Sequence, residues 1–193
     1  MRQWRAARAV SVALAMFLAL MLGKASAAVA AEGPVVATVS DRFINGMYML
    51  DGRVRFALTP DMRDALENGI ALSYDVEVEI YGVRDWLWDE LLVRSVQRIT
   101  LEYHALSGSY TVSNVTARMR RSFQHLDEAL DALGDLRDLA VSEQRHLPKP
   151  GPYRGRLRVG MDLQTLPAPL RPIAYLSPDW PLHSDWYEWT VTP

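Results

Sequence analysis

Between Ile70 and Tyr81 apolar and polar residues alternate. Ile70, Leu72, Tyr74, Val76, Val78 and Ile80 share one parity, and Ser73, Asp75, Glu77 and Glu79 the other. Successive side chains of an extended strand point to opposite faces, so the pattern predicts a strand with one face buried and one wet. A helix of the same residues would have no coherent apolar face. Tyr153 to Leu163 repeats the device: Tyr153, Leu157, Val159, Met161 and Leu163 stand against Arg154, Arg156, Arg158 and Asp162. The acidic row and the arginine row have equal spacing and opposite sign. Cross-strand pairing of Arg154, Arg156 and Arg158 with Asp75, Glu77 and Glu79 is therefore the favoured reading, and it predicts neighbouring strands. The competing reading is a clamp for phosphate, a lipid head group or an acidic glycan.

The same period recurs elsewhere. Val35 to Phe43 and Tyr48 to Phe56 read as strands joined by Asn45-Gly46, a pair that tolerates positive φ in a tight hairpin turn. Val93 to Leu106 and Tyr110 to Met119 read as two more, turned by Ser107-Gly108-Ser109. Thr59 before Pro60 starts a short helix that Asn68-Gly69 stops. A longer helix is predicted where Phe123, Leu126, Leu130 and Leu133 recur at helical spacing, with Ser122 as cap and Gly134 as stop. Pro148 to Pro152 reads as a stiff connector, and Pro167 to Pro193 as an irregular Pro- and Trp-rich tail or a short edge strand. Six or so strands with one short and one longer helix inserted predict a mainly β fold. An antiparallel β-sandwich or a curved sheet fits, with an immunoglobulin-like arrangement among those open.

Residues 1–31 read as a signal peptide. Arg2, Arg5 and Arg8 precede an uncharged apolar block from Ala9 to Leu22, followed by small residues in the A-x-A manner at Ala25-Ser26-Ala27 or Val29-Ala30-Ala31. The block is shorter than the roughly 20 residues a spanning helix needs. A protein in the periplasm, without a stable membrane anchor after cleavage, is expected; anchoring in the inner membrane is the alternative if the segment stays. Residues 32–193 then form one β-rich domain. Removing Arg2, Arg5, Arg8 and Lys24 leaves 17 basic residues against 23 acidic, a balance unsuited to nucleic acid. With no cysteine, disulfides, thiolate chemistry and lipid attachment at a cleavage-site cysteine are excluded.

No catalytic set is assembled in sequence. His104, His125, His146 and His183 are scattered, with no ligand spacing for a metal, and there is no G-x-S-x-G, phosphate loop or dinucleotide fingerprint. Neither cofactor nor metal is expected. Asp127, Asp131, Asp135 and Asp138 would share one face of a continuous helix, which reads as a solvated face. Trp86 and Trp88 flank Leu87, and Trp180, Trp186 and Trp189 crowd the tail. Sealing the core edge and pinning the tail is the favoured role for such aromatics; stacking on a ligand or filling a partner's pocket is the other.

Trp86-Leu87-Trp88, then Arg94, Arg98, Leu101, Tyr103-His104, Leu106 and Tyr110, resembles the central motif of the DUF4390 family. Ala65-Leu66, Gly69, Leu163, Leu166-Pro167, Leu170 and Trp180 are similar too, so the resemblance covers most of the chain after residue 31. It implies a Gram-negative periplasm and points to an envelope signalling partner, and it supplies no catalytic or binding residues. The leading expectation is thus a non-enzymatic module that binds an envelope protein or an anionic envelope component. Trp86, Trp88, Arg154, Arg156 and Arg158 are its candidate contacts. The alternative is an envelope hydrolase whose groups meet only in three dimensions, around His104.

Overall fold

The computed structural model describes residues 33–84, 86–143, 147, 152–177 and 180–191. The expected signal segment, His146 and most of the Pro148–Pro152 connector lie outside the described residues. Among the described residues there are nine strands: β1 Val35–Ile44, β2 Met47–Arg55, β3 Leu72–Gly82, β4 Glu90–His104, β5 Ser109–Asn114, β6 Met119–Phe123, β7 Asp135–Glu143, β8 Tyr153–Met161 and β9 Tyr187–Val191. Helices α1 Pro60–Glu67, α2 Leu126–Leu133 and α3 Leu170–Leu176 are inserted between them.

All pairings are antiparallel and fall into two sheets, β1-β2-β7 and β6-β5-β4-β3-β8-β9. The expected mainly β, two-sheet architecture is therefore present. The division is three strands against six, where an immunoglobulin constant domain splits seven strands four and three. Asn45 and Gly46 turn β1 into β2 with φ of +50° and +77°, the primed turn their identities predict. Thr59 caps α1 by accepting from the Met62 amide at 3.3 Å.

Three expectations are corrected. The longer helix is no longer than the first: α2 has eight residues, Ser122 and Phe123 belong to β6, and no side chain caps the helix at His125. Phe123 lies on the inward parity of β6 beside Tyr110, so its apolar character serves a strand. Asp135 and Asp138, which follow the Gly134 stop, stand in a strand that the sequence reading did not place, β7. That strand is hidden because a bulge breaks its period: Leu50 faces Leu139 while Gly52 faces Leu136, and the extra residue Asp138 takes φ +52°. Third, the Pro-rich tail contains α3, in which Pro172 falls within the first turn, where a missing amide is tolerated, as well as the edge strand β9.

One core joins the two sheets. Tyr48, Leu50 and Val54 of β2 meet Tyr74, Val76, Val78 and Ile80 of β3 and Leu157 and Val159 of β8, with Met62 and Leu66 of α1 and Leu126 and Leu133 of α2 alongside. Specific contacts tie the layers. The Gln97 amide on β4 donates to the Ala140 carbonyl on β7 at 2.9 Å. The Trp189 indole N–H on β9 donates to the Tyr48 hydroxyl at 3.1 Å, which donates in turn to Asp41 on β1 at 2.8 Å. Gly155 makes room for that indole: a Cβ there would lie 2.3 Å from Trp189 Cε2.

Gly134 ends α2 against β2, with the Val54 amide donating to its carbonyl at 2.8 Å. Its φ is −84°, so the glycine is needed for close approach and not for a left-handed turn. A Cβ would fall 1.9 Å from the Val54 carbonyl oxygen, a backbone atom that cannot swing aside. Gly134→Ala is accordingly expected to lower the free energy of unfolding by about 3 kcal/mol, read from the urea midpoint, through overpacking.

Candidate functional site

β3 lies between β4 and β8, and register puts its acids opposite arginines on both sides. Glu79 pairs with Arg94 and Arg156, Glu77 with Val96 and Arg158, and Asp75 with Arg98 and Gly160. The strand reading expected this face to be wet, and here it is corrected: Glu77 is 7% exposed and Glu79 5%. The guanidinium groups exclude the water. Arg158 Nε and Nη2 both lie 2.8 Å from Glu77 Oε2, and Arg94 holds Glu77 Oε1. Arg156 Nε lies 2.7 Å from Glu79 Oε2 and its Nη2 at 2.7 Å from the Tyr81 hydroxyl, which donates to the same carboxylate at 2.8 Å. Arg98 binds Asp75 at 3.0 Å and reaches Asp162 beyond it. The Trp186 ring lies over two of these arginines, 4.2 Å from the Arg156 guanidinium carbon and 4.5 Å from that of Arg158.

The favoured cross-strand reading therefore holds for Arg156 with Glu79 and Arg158 with Glu77, and is corrected at Asp75, which stands opposite Gly160 of β8 and takes Arg98 of β4 as its partner. Arg154, the third member, pairs with Asp89 and approaches Glu188. Burial pushes the Glu79 carboxyl up, but hydrogen bonds from Tyr81 and Arg156 and the charges of Arg156 and Arg94 outweigh it, and its pKa lies below the ordinary value. Two other groups of this face shift upward: Tyr81 by burial and by its bond to Glu79, and Arg98 by its bond to Asp75.

The tryptophans divide into two groups. Trp180 is buried, Trp189 packs on Gly155 and Trp186 covers the arginines, as expected for residues that pin a tail. Trp86 and Trp88 do the opposite. They stand 96% and 91% exposed in the loop joining β3 to β4, with Leu87 exposed between them. Charges at the base of this loop are paired: Arg84 with Glu90, and Asp89 with Arg154 on β8. The structure thus joins the two candidate groups at one end of the large sheet, with Arg154 tying Asp89, the neighbour of Trp88, to the arginine row.

His104 ends β4 on the surface, 3.9 Å from Glu102. Among the described residues no three His, Asp or Glu side chains are placed to share a metal ion. Sequence reasoning missed two features. A cleft of about 360 Å³ lies over the charged face, with Val96, Asp162, Tyr175 and His183 at its walls. A narrower cavity of about 170 Å³ opens between α2, β7 and the β5–β6 hairpin, with Arg121 at its rim. Neither has a local signal, because each is lined from elements far apart in sequence.

The depressed Glu79 pKa sets a sign. Stability from this group is complete above the unfolded carboxyl value near pH 4.3 and is lost as pH falls through the lower folded value. Glu79→Gln is expected to cost about 3 kcal/mol at pH 7 and to flatten the fall in urea midpoint between about pH 5 and pH 3. An unchanged slope would assign the acid sensitivity to other carboxylates.

No curated protein and no solved structure matches the chain. Among the described residues no helix is long and apolar enough to cross a membrane. The family model described as Domain of unknown function (DUF4390) matches residues 35–190, from the first strand into the last. The chain therefore belongs to the DUF4390 family.

Proposed function

We propose that this protein is exported to the periplasm by its first 31 residues and acts there as a binding module with no reaction of its own. Its contact is the Trp86-Leu87-Trp88 tip, and its partner is an envelope protein. The observation that carries the reading is that both indoles stand in solvent on a loop whose charged neighbours are already paired with one another and with the sheet. Burying two indoles and a leucine against a partner yields roughly 5–8 kcal/mol before association costs, whereas leaving them exposed contributes nothing to folding. Tryptophan in a desolvated pocket is the commonest kind of interface hot spot.

The charges favour a protein over an anionic surface. In the sequence Arg84, Asp85, Asp89 and Glu90 flank the tip with more negative than positive charge, which would repel an anionic bilayer or polysaccharide. Arg154, Arg156 and Arg158, each held by a carboxylate, serve in this reading as the support that fixes the base of the loop. The basic, apolar and small-residue order of residues 1–31 supports export, and exposed His104 with Glu102 at 3.9 Å offers little to the hydrolase alternative.

The test is affinity capture from crosslinked envelopes. A Trp86→Ala/Trp88→Ala double variant should keep the wild-type stability within about 0.5 kcal/mol, read from the urea midpoint, because both rings stand more than nine-tenths exposed, at 96% and 91%. It should also lose the principal crosslinked protein. Recovery of the same protein at the same yield would remove the tip from the interface, and retention only by anionic vesicles would replace the protein partner with a membrane.

A further inference from the structure

The cavity beside α2 has the composition of a ligand site, and it is independent of the Trp86-Leu87-Trp88 tip. Its volume is about 170 Å³. Ile99, Val112 and Leu133, each at most 2% exposed, close its floor, and Leu136, Leu139 and Met119 line its walls. These residues come from β4, β5, β6, α2 and β7, so the space lies between the two layers, where β6 is the free edge of the large sheet.

The rim carries charge. Arg137 is bound to Asp135 at 2.8 Å and is neutralised there. Arg121 is different. It stands opposite Val112 in the β5–β6 register, on the inward parity of β6 with Met119 and Phe123. Its guanidinium carbon lies 5.2 Å from the Phe123 ring centre, and among the described residues it faces no carboxylate at ion-pair distance. The arginines of the opposite face, Arg94, Arg98, Arg154, Arg156 and Arg158, are all paired.

Asn114, Asp135 and Arg137 also line the cavity, so its lining is mixed. With Asp135 held by Arg137, Arg121 at the mouth suits a carboxylate whose apolar tail enters among the leucines. The guanidinium receives the two oxygens, and the tail replaces water against Val112 and Leu133. The volume limits the tail: at about 30 Å³ for each water-sized group, the cavity takes about six carbons, well short of a membrane acyl chain.

We propose that this cavity binds a small monocarboxylic acid with an apolar tail of about six carbons, its carboxylate held by Arg121. The probe is sodium hexanoate, followed by methyl NMR shifts of Val112, Leu133 and Leu136 in the full-length protein. Saturable shifts at these methyls are expected at millimolar concentration, with hexanol about fivefold weaker, palmitate excluded and acetate without effect. Arg121→Gln, a change at an exposed position, should weaken hexanoate about fivefold and leave hexanol unchanged. Ala132→Leu, which extends a side chain into the cavity, should weaken both; if it fails to fold, the Arg121→Gln comparison decides. Equal hexanoate affinity in wild type and Arg121→Gln, or shifts that do not saturate at Val112 and Leu133, would overturn the assignment.

Discussion

Two carboxylates at the centre of the large sheet, Glu77 and Glu79, lie out of water on the face turned away from the core. Moving an ionised carboxylate out of water costs several kcal/mol unless opposite charges and hydrogen bonds replace the solvent. The arginines that replace it come from both neighbours of β3: Arg94 from β4, Arg156 and Arg158 from β8. This requirement sets two registers together. A one-residue slip of β3 would turn Val76 and Val78 outward and drive Glu77 and Glu79 into the core, so hydrophobic alternation and charge pairing demand the same alignment. The tail follows from the same constraint, since Trp186 covers the Arg156 and Arg158 guanidinium groups and β9 then pairs with β8 beyond them.

The smaller sheet is placed by close contacts. Three strands cannot cover the inner face of six, and α1 and α2 supply Met62, Leu66, Leu126 and Leu133 to the same core. Gly134 lets the end of α2 touch the β2 backbone, and Gly155 lets Trp189 lie flat on β8 and reach Tyr48. Glycine acts at both places through the side chain it lacks. The Trp86-Leu87-Trp88 loop owes its position to the outer lattice. It leaves β3 beyond Glu79 and Tyr81 and enters β4 ahead of Arg94, and the Asp89–Arg154 pair fastens its base to β8. Arg154 thus links the loop that carries the exposed indoles to the arginine row of β8.

Much of this was legible in the residues. Alternation located β1 to β4 and β8 closely, Asn45-Gly46 and Thr59-Pro60 marked a turn and a helix start, and the matched acidic and basic rows predicted that β3 and β8 are neighbours. The run read as one strand from Tyr110 to Met119 is instead β5 ending at Asn114, a turn at 115–118 and the start of β6. Failures came where a local signal had two readings. Phe123 continues the spacing of Leu126 and Leu130 and so reads as helix, yet it is paired with Tyr110 in a ladder. The bulge at Asp138 shifts Leu136 and Leu139 out of period two, and β7 disappears into an acidic helix pattern. The wet face of β3 was a correct inference for a lone strand; two flanking rows of arginine change the solvent exposure.

The sequence by itself determined a mainly β, cysteine-free domain and the identity of the strands that pair by charge. Strand periodicity and side-chain charge are local properties, and both can be read one segment at a time. Only the tertiary structure decided which tryptophans are structural and which are free, because all five of those beyond the N-terminal segment are chemically alike and differ only in what the chain folds against them. It alone placed Arg121 over a cavity and Arg156 under an indole ring. Identical guanidinium groups acquire different chemistry there because burial and pairing arise from distant segments brought together.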